Sequence, residues 1–103
     1  MLQLRPHCEH CAAPLPPAST EARICSFECT FCAHCVDTLL HGTCPNCGGN
    51  LVPRPIRPAR DWSGRGNSLA QYPASTEPRH RPADLAAHAE LLRRLAGLPP
   101  EAR

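Results

Sequence analysis

The chain has 103 residues, of which eight are cysteine, thirteen are proline and only four are aromatic. Such a chain has room for one domain with a thin core, and no stretch approaches the roughly 20 apolar residues that a membrane span needs. The formal net charge of +2 divides unevenly, because residues 1–50 carry two arginines against four acids and residues 51–103 carry nine arginines against five acids.

The N-terminal sequence MLQLRPHCEHC predicts a cytoplasmic protein. A secretory signal has 7–15 apolar residues after a basic start, whereas this chain reaches Arg5 and two cysteines within its first eleven residues. Cytoplasmic thiols stay reduced, and clusters of them are more often metal sites than disulfides. We therefore expect the cysteines to bind metal, with a disulfide framework as the less favoured interpretation.

The cysteines follow the pattern C-x2-C-x13-C-x3-C-x2-C-x2-C-x8-C-x2-C between residues 8 and 47. A two-residue gap lets both thiolates of a tight turn bind one ion, and four thiolates at about 2.3 Å complete a tetrahedral zinc shell. The pattern predicts a two-zinc domain over residues 1–52, with eight ligands: Cys8, Cys11, Cys25, Cys29, Cys32, Cys35, Cys44 and Cys47. The neighbouring histidines are interpreted as solvent groups or as partners of the ligands: His7, His10, His34 and His41.

An iron–sulfur cluster is the rival metal site. Cys25, Cys29 and Cys32 resemble the cluster motif of radical S-adenosylmethionine enzymes, but those enzymes need a large barrel that about 50 ordered residues cannot build. A bacterial ferredoxin motif would have three residues between Cys35 and the next Cys-Pro, and here eight residues lie between them. Four-cysteine zinc sites leave no open position for substrate, so we expect a structural protein and no enzyme.

The run LVPRPIRPAR opens a Pro/Arg-rich linker over residues 53–81, predicted to be partly extended or disordered. A polyproline II helix has three residues per turn, so Arg54, Arg57 and Arg60 would lie along one edge. This edge is predicted to dock on an acidic surface of the chain's own zinc domain. Contact with nucleic-acid phosphates is the alternative.

An amphipathic helix is predicted over residues 82–98. Pro82 suits a first helical position, and Gly97 followed by Pro99 suits a stop. The apolar residues of the expected packing face recur at three- and four-residue spacing: Leu85, Ala89, Leu92, Leu95 and Ala96. The helix is expected to pack on the zinc domain or on a second copy, with docking on a partner as the other possibility.

The cysteine spacing resembles that of a RING finger, in which ligand pairs alternate between two zinc ions in a cross-brace. The resemblance implies one site of Cys8, Cys11, Cys32 and Cys35 and a second of Cys25, Cys29, Cys44 and Cys47. It also implies a helix over residues 33–41 that ends at Gly42. A sequential treble-clef grouping, with the first four cysteines on one ion and the last four on the other, stays open beside it.

RING ligases contact their conjugating enzyme through an apolar residue between the first two ligands, where this chain has Glu9 and His10. They commonly carry a basic residue after the last ligand, where this chain has Gly48. Leu40 and Pro45 do match the ligase pattern. Ubiquitin-ligase activity is therefore not expected.

The chain resembles the bacterial domain of unknown function 1272 family more closely, through LRPHCEHC, LPPAST, ICSFECTFCAHCVDTLL, CPNCGGNLVPRPIRP and YPASTEP. The resemblance covers about residues 1–78 and implies no particular activity. The favoured function is a structural zinc-binding protein that acts as a protein-interaction module. The alternatives are nucleic-acid binding through the arginine-rich tail and a zinc- or redox-responsive regulator.

Overall fold

The computed structural model describes residues 1–103 as three short strands, two helices and long irregular segments. The strands are β1 (Ala22–Ile24), β2 (Thr30–Cys32) and β3 (Val52–Pro53). Helix α1 (Ala33–Cys35) continues as a π-helical turn over Val36–Leu40, helix α2 spans Leu85–Leu95, and a 3-10 turn spans Pro100–Ala102. The fold is the small, irregular α+β arrangement that the sequence predicts.

The strands form one antiparallel sheet in the order β2-β1-β3. The hairpin of β1 and β2 places Ala22 opposite Cys32, and its turn begins at Cys25 and ends at Cys29. All residues of β2 are buried. The hairpin thus positions three of the eight cysteines.

Helix α1 and its π-helical turn follow β2 directly and end one residue earlier than predicted. The Cys32 thiol caps the helix by accepting the Cys35 N–H at 3.5 Å. His41 stops the helix because its backbone is left-handed, with φ 51°, and Gly42 follows with φ 73°. The left-handed conformation therefore begins at a histidine rather than at the glycine.

The hydrophobic core is small and is built half from cysteine. Its twelve-residue cluster holds six cysteines beside six apolar residues: Leu15, Ala22, Phe31, Val36, Leu40 and Leu51. Phe31 is the only aromatic side chain among them. The stability of this core must therefore depend strongly on what the cysteine sulfurs bind.

The segment between β3 and α2 has no regular element, but it lies along the domain rather than leading away from it. The Ser75 N–H donates to the Leu4 carbonyl at 3.0 Å, and the Arg81 N–H donates to the Glu9 carbonyl at 2.8 Å. These contacts place residues 75 and 81 against the irregular N-terminal segment of the chain. The segment predicted as a linker therefore packs on the cysteine-rich part.

Helix α2 is three residues shorter at each end than the predicted range of 82–98. It begins after Asp84, whose carboxylate accepts the Ala87 N–H at 3.0 Å, because a side-chain acceptor is a stronger start signal here than Pro82. It ends at Ala96, which is left-handed with φ 48°. No helix in the structure has the length and hydropathy that crossing a membrane requires.

The packing face of α2 differs from the predicted one. His88 is the only buried residue of the helix, and the leucines half-buried beside it are Leu91, Leu92 and Leu95. Leu92 and Leu95 were predicted on this face, whereas Leu85, Ala89 and Ala96, also expected there, are exposed. The prediction missed His88 because hydropathy gives a histidine no weight as a packing residue, whereas the Nε2–H of His88 donates to the Leu40 carbonyl at 2.8 Å.

Candidate metal centre

Four thiols from distant parts of the chain converge between the N-terminal turn and helix α1. The sulfur atoms of Cys8, Cys11, Cys32 and Cys35 all lie within 4.8 Å of one another. Three of the four residues are buried, and Cys11 is exposed. The first cysteine pair therefore meets the third pair of the chain, not the second.

The sulfur spacing suits a tetrahedral ion. The Sγ atoms of Cys11 and Cys32 are 3.7 Å apart. Four sulfurs at about 2.3 Å from one ion stand about 3.8 Å from each other, whereas a disulfide requires about 2.05 Å. All eight cysteines are free thiols. The group can hold a metal ion and is too open to be a disulfide.

A second group joins the hairpin turn to the last cysteine pair. The sulfur atoms of Cys25, Cys44 and Cys47 lie within 4.8 Å of one another. Cys29, predicted as the fourth ligand, is not within that distance of all three. It faces Cys25 across the hairpin, where the Cys25 N–H donates to the Cys29 carbonyl at 3.2 Å.

The first and last cysteine turns share one backbone geometry. In each, the N–H of the fifth residue returns to the carbonyl of the first cysteine at 2.9 Å, from Ala12 to Cys8 and from Gly48 to Cys44. Both fifth residues are left-handed, with φ 63° for Ala12 and φ 77° for Gly48. This tight turn is what a two-residue gap needs to aim both sulfurs at one point.

In the turn from Cys25 to Cys29 the left-handed residue is the fourth of the turn, one position earlier than in the other two turns. Glu28 has φ 66° and donates its N–H to the Cys25 carbonyl at 3.0 Å, so Cys29 follows the left-handed residue instead of preceding it. Because three residues separate Cys25 from Cys29, the second thiol of this pair is on the fifth residue of the turn, whereas Cys11 and Cys47 are the fourth residues of theirs. This difference explains why Cys29 stands apart from the compact group.

Backbone amides point at the sulfurs of both groups. Five N–H groups donate to a cysteine Sγ at 3.4–3.5 Å, from Cys11, Phe27, Cys35, Asn46 and Gly49. Donors of this kind stabilise a thiolate over a thiol. The turns are thus built for sulfur ligands in the charged form.

Burial opposes that charged form when no cation is nearby. Desolvation is the largest cause that raises the pKa of the thiols of Cys29, Cys32, Cys35 and Cys44. At Cys11 desolvation also raises the pKa, but hydrogen bonds from Ala13 and from neighbouring thiols outweigh it and lower the pKa overall. A divalent cation supplies the opposite charge that buried thiolates lack, so the donor set fits a thiophilic metal ion.

The four histidines near the cysteines do not join either thiol group. His34 and His41 are exposed. His10 accepts the Ala83 N–H at its Nδ1 atom at 2.9 Å, and His7 has a buried Nδ1 atom without a hydrogen-bond partner. Their contacts in the structure are thus with protein groups outside the sulfur clusters.

Glu9, between the first two cysteines, is a structural residue that the sequence analysis missed. Its buried carboxylate accepts an Arg5 guanidinium N–H at 2.7 Å and the Thr30 N–H at 2.6 Å. Its own N–H donates to the Thr30 carbonyl at 2.9 Å. The available signal was the four-residue spacing of Arg5 and Glu9, which is ordinary on a surface and therefore carries little weight.

Arg54 is the second structural residue that the sequence analysis misplaced. Its guanidinium is buried and donates to the carbonyls of Arg5, Leu15 and Pro16 at 2.9, 3.2 and 3.0 Å. Burial lowers the pKa of this guanidinium from its ordinary value. The predicted docking of this segment on its own domain thus occurs, but Arg54 contacts main-chain carbonyls and not the acidic surface that was expected.

The other two arginines of the predicted edge, Arg57 and Arg60, are less buried than Arg54. Arg57 is half-buried and donates to the Leu2 and Tyr72 carbonyls, both at 2.7 Å, whereas Arg60 is exposed. The three arginines therefore do not form a uniform charged edge. Two of them hold the chain together and one faces solvent.

Comparison with known proteins separates the cysteine-rich part of the chain from its C-terminal helix. The profile of the family described as "Protein of unknown function (DUF1272)" matches residues 1–57, which contain all eight cysteines together with Glu9 and Arg54. The chain belongs to the DUF1272 family. Helix α2 lies outside the part that the DUF1272 profile matches.

An uncharacterised protein of Rhizobium meliloti (strain 1021) is 60% identical over 76 residues, which cover 74% of this chain and 82% of that protein. No solved structure matches the chain. Membership in DUF1272 therefore assigns the cysteine-rich part to a family but does not assign an activity to it.

Proposed function

We propose that this DUF1272 protein is a structural zinc protein in which two ions are held in a RING-like cross-brace. One ion is bound by Cys8, Cys11, Cys32 and Cys35, and the other by Cys25, Cys29, Cys44 and Cys47. The observation that carries the proposal is the interleaved convergence of the thiols, which joins the first cysteine pair to the third and Cys25 to the last pair.

Cys29 completes the second site in this proposal. It is buried, it lies across the hairpin turn from Cys25, and the Cys25 thiol is among the causes that raise the pKa of the Cys29 thiol. A fourth thiolate also closes the shell, as structural zinc sites require.

The protein acts as an interaction module and not as a catalyst in this proposal. Two closed four-thiolate shells leave no metal position for a substrate. The positions through which RING ligases contact their partner are covered by the chain itself. Arg81 bonds to Glu9, Ala83 bonds to His10, and the Nε2–H of His88 donates to the Leu40 carbonyl.

The nucleic-acid alternative loses support from the arginine contacts. Arg54 and Arg57 donate their guanidinium N–H groups to five carbonyls of the same chain, so these donors are engaged before any phosphate approaches. Of the predicted arginine edge only Arg60 is left exposed. A single exposed arginine of that edge provides a weak electrostatic footprint for nucleic acid.

A zinc- or redox-responsive role is the second candidate, because each thiol group contains one exposed member. Cys11 in the first group and Cys47 in the second are accessible to solvent, while the other six cysteines are buried. An oxidant would therefore reach one thiolate of each site first. Loss of zinc at low peroxide concentration, with the released zinc measured by a chromogenic chelator, is the sign of such a role.

Native mass spectrometry of the full chain, expressed without added metal, tests the main proposal. We expect two zinc ions per chain and four cysteines on each in cadmium-113 NMR of the substituted protein. Cys29→Ser should weaken the second site and leave the first intact, whereas Ser26→Ala in the same turn should change neither. One zinc ion, or iron with acid-labile sulfide, would contradict the proposal.

A further inference from the structure

Trp62 is the most exposed large apolar side chain of the protein. It is 82% exposed, and the chain has no other tryptophan. It lies in a loop that begins after Pro58 and closes where the Leu69 N–H donates to the Pro58 carbonyl at 2.9 Å. Tryptophan is highly buried on average in folded proteins, because its large apolar surface is costly to leave in water. Trp62 is therefore an anchor that its own chain does not cover.

The loop that carries Trp62 is held in shape by its own hydrogen bonds. The Asp61 carboxylate accepts the Gly66 N–H at 2.8 Å and the Ser63 hydroxyl at 3.2 Å. The Ser63 oxygen in turn accepts the Arg65 N–H at 3.1 Å. A side chain that is presented by an ordered loop loses less conformational entropy when it binds, which favours Trp62 as a contact residue.

An apolar groove of about 390 Å³ lies beside this loop. Ile56 is 52% exposed and Tyr72 is 42% exposed, so the groove is open to solvent. Pockets of about 300–1,000 Å³ accept drug-sized ligands, and an indole ring is smaller than such a ligand. The main apolar residues of the groove are Met1, Leu2, Leu4, Pro55, Ile56 and Tyr72.

Arg57 joins the two walls of the groove. Its guanidinium donates to the Leu2 carbonyl and to the Tyr72 carbonyl, both at 2.7 Å. The Ser75 N–H adds a bond to the Leu4 carbonyl at 3.0 Å. The groove is therefore formed before anything binds to it. Because the Arg57 guanidinium is engaged by main-chain carbonyls, the groove favours an apolar occupant over an anion.

The loop and the groove adjoin on the same chain. Pro58 and Asn67, which flank the loop, both line the groove, whereas Trp62 does not. A two-fold axis beside this wall would lay the loop of each copy against the groove of the other. Asn67 donates its amide nitrogen to the Ser63 oxygen at 3.5 Å, which leaves the amide oxygen as an acceptor for the N–H of an inserted indole.

The far end of the groove carries a charge opposite to the charges beside Trp62. There the groove continues into a polar region whose lining includes Glu77, and this carboxylate forms no ion pair within the chain. Arg60 and Arg65 flank Trp62 in the sequence and are exposed. The loop of a second copy would therefore bring an arginine toward an unpaired acid together with its tryptophan.

The area of this contact predicts a weak association. A tryptophan buries about 150–250 Å² of its own surface. Two such side chains, with the groove surface that they cover, amount to about 600–1,000 Å², whereas stable interfaces bury about 1,200–2,000 Å². We expect a reversible dimer with a dissociation constant on the order of 10–100 µM.

We propose that the protein forms a two-fold dimer in which Trp62 of each copy occupies the groove of the other. The occupant is a second copy because the same chain carries, beside the groove, an exposed anchor that matches it in size, polarity and charge. No cysteine lines the groove, so this dimer is a property beyond the proposed zinc role.

Trp62 reports its own burial, because no other tryptophan contributes to the emission. Sedimentation velocity of the zinc-loaded full chain between about 5 and 500 µM should show conversion of monomer to dimer. The tryptophan emission should shift to the blue over the same range. The shift and the dimer fraction should give the same dissociation constant.

Two variants at exposed positions test the contact from both sides. Trp62→Ala removes the anchor, and Ile56→Glu places a charge in the groove. Each should raise the dissociation constant at least about tenfold. Leu85→Glu is the matched control, because Leu85 is an apolar residue of α2 that is 42% exposed and does not line the groove. It should dimerise like the unmodified chain.

Three outcomes overturn the inference. These are a chain that stays monomeric at about 500 µM, a dimer that neither Trp62→Ala nor Ile56→Glu weakens, and an emission that is blue-shifted at every concentration because Trp62 occupies the groove of its own chain. Zinc is counted on every sample by native mass spectrometry. A monomer that holds two zinc ions rejects the dimer alone, whereas a dimer whose chains do not hold two zinc ions each rejects the proposed metal role alone.

Discussion

Glu9 and Thr30 are joined by two hydrogen bonds that run in opposite directions. The Glu9 N–H donates to the Thr30 carbonyl at 2.9 Å, and the Thr30 N–H donates to the Glu9 carboxylate at 2.6 Å. Cys8 is the residue before Glu9, and Cys32 is two residues after Thr30. This pair of bonds therefore brings the two halves of the first thiol group together.

Glu9→Gln should lower the free energy of unfolding by about 3 kcal/mol, because it removes the charge that compensates the buried Arg5 guanidinium and leaves that guanidinium unpaired. Chemical denaturation of the zinc-loaded chain measures the change. The matched control is Glu21→Gln, an exposed acid whose replacement should shift stability by less than about 0.5 kcal/mol. Equal effects of the two substitutions would show that the Arg5–Glu9 pair stabilises nothing.

Arg54→Gln should destabilise the chain by about 3 kcal/mol, since two buried carbonyls and the part-buried Pro16 carbonyl lose a charged donor. Arg60→Gln changes an exposed arginine six residues away and should leave stability within about 0.5 kcal/mol. Amide shifts on Arg54→Gln should appear at Arg5, at Leu15 and at those of their neighbours that have a backbone N–H. A larger effect of Arg60→Gln on nucleic-acid affinity than on stability would favour the phosphate interpretation of this residue.

The local part of the structure could be predicted from the sequence, and the tertiary part could not. A two-residue gap between cysteines determines a tight turn by itself, which is why the turns after Cys8 and Cys44 have the same hydrogen bonds. The α+β class and the existence of a C-terminal helix also followed from local signals. The grouping of the thiols depends on long-range packing, and spacing alone left an interleaved and a sequential arrangement open.

The buried polar residues that the sequence did not reveal were missed for one physical reason. Glu9, Arg54 and His88 are polar side chains buried because backbone groups or an opposite charge satisfy them. Composition and hydropathy assign such residues to the surface. Only the three-dimensional positions of their acceptors, which come from distant parts of the chain, reveal their burial.

The zinc-loaded chain should lose stability as pH falls. Unfolding releases the zinc and lets each thiolate take up a proton below the ordinary thiol pKa of 9.0, so the folded state binds fewer protons than the unfolded state. Each thiolate contributes up to about 1.4 kcal/mol per pH unit. Denaturation midpoints between about pH 8 and pH 5 should therefore decrease steadily.

The opposite pH dependence would contradict metal binding. Without a metal, burial raises the pKa of Cys35 and Cys44 above the unfolded value, so the folded state holds protons that the unfolded state releases. Stability from these thiols is complete below about pH 9 and is lost as pH rises further. A chain that is stable in acid and weakens only above about pH 9 therefore has free thiols at both sites.

Removal of the metal should unfold the cysteine-rich part. Half of its core cluster is cysteine, and the remaining six apolar side chains bury too little surface to offset the entropy of ordering the chain. Amide signals of residues 1–52 in a two-dimensional NMR spectrum should lose their dispersion after treatment with a strong chelator. Added zinc should restore them, and dispersion that persists in the metal-free chain would show that the core suffices alone.

Ala12→Gly and Gly48→Ala should change stability in opposite directions. Both positions are left-handed and donate the same N–H bond in equivalent cysteine turns, but one has a Cβ atom and the other does not. A left-handed backbone costs an L-residue about 1 kcal/mol, so Ala12→Gly should stabilise by up to that amount and Gly48→Ala should destabilise by a similar amount. Ala13→Gly, beside the first turn at a residue without positive φ, is the control and should destabilise slightly through chain entropy. Unfolding curves of the zinc-loaded variants measure all three. A loss of stability in Ala12→Gly as large as that in Ala13→Gly would mean that the first turn does not hold Ala12 in the left-handed conformation.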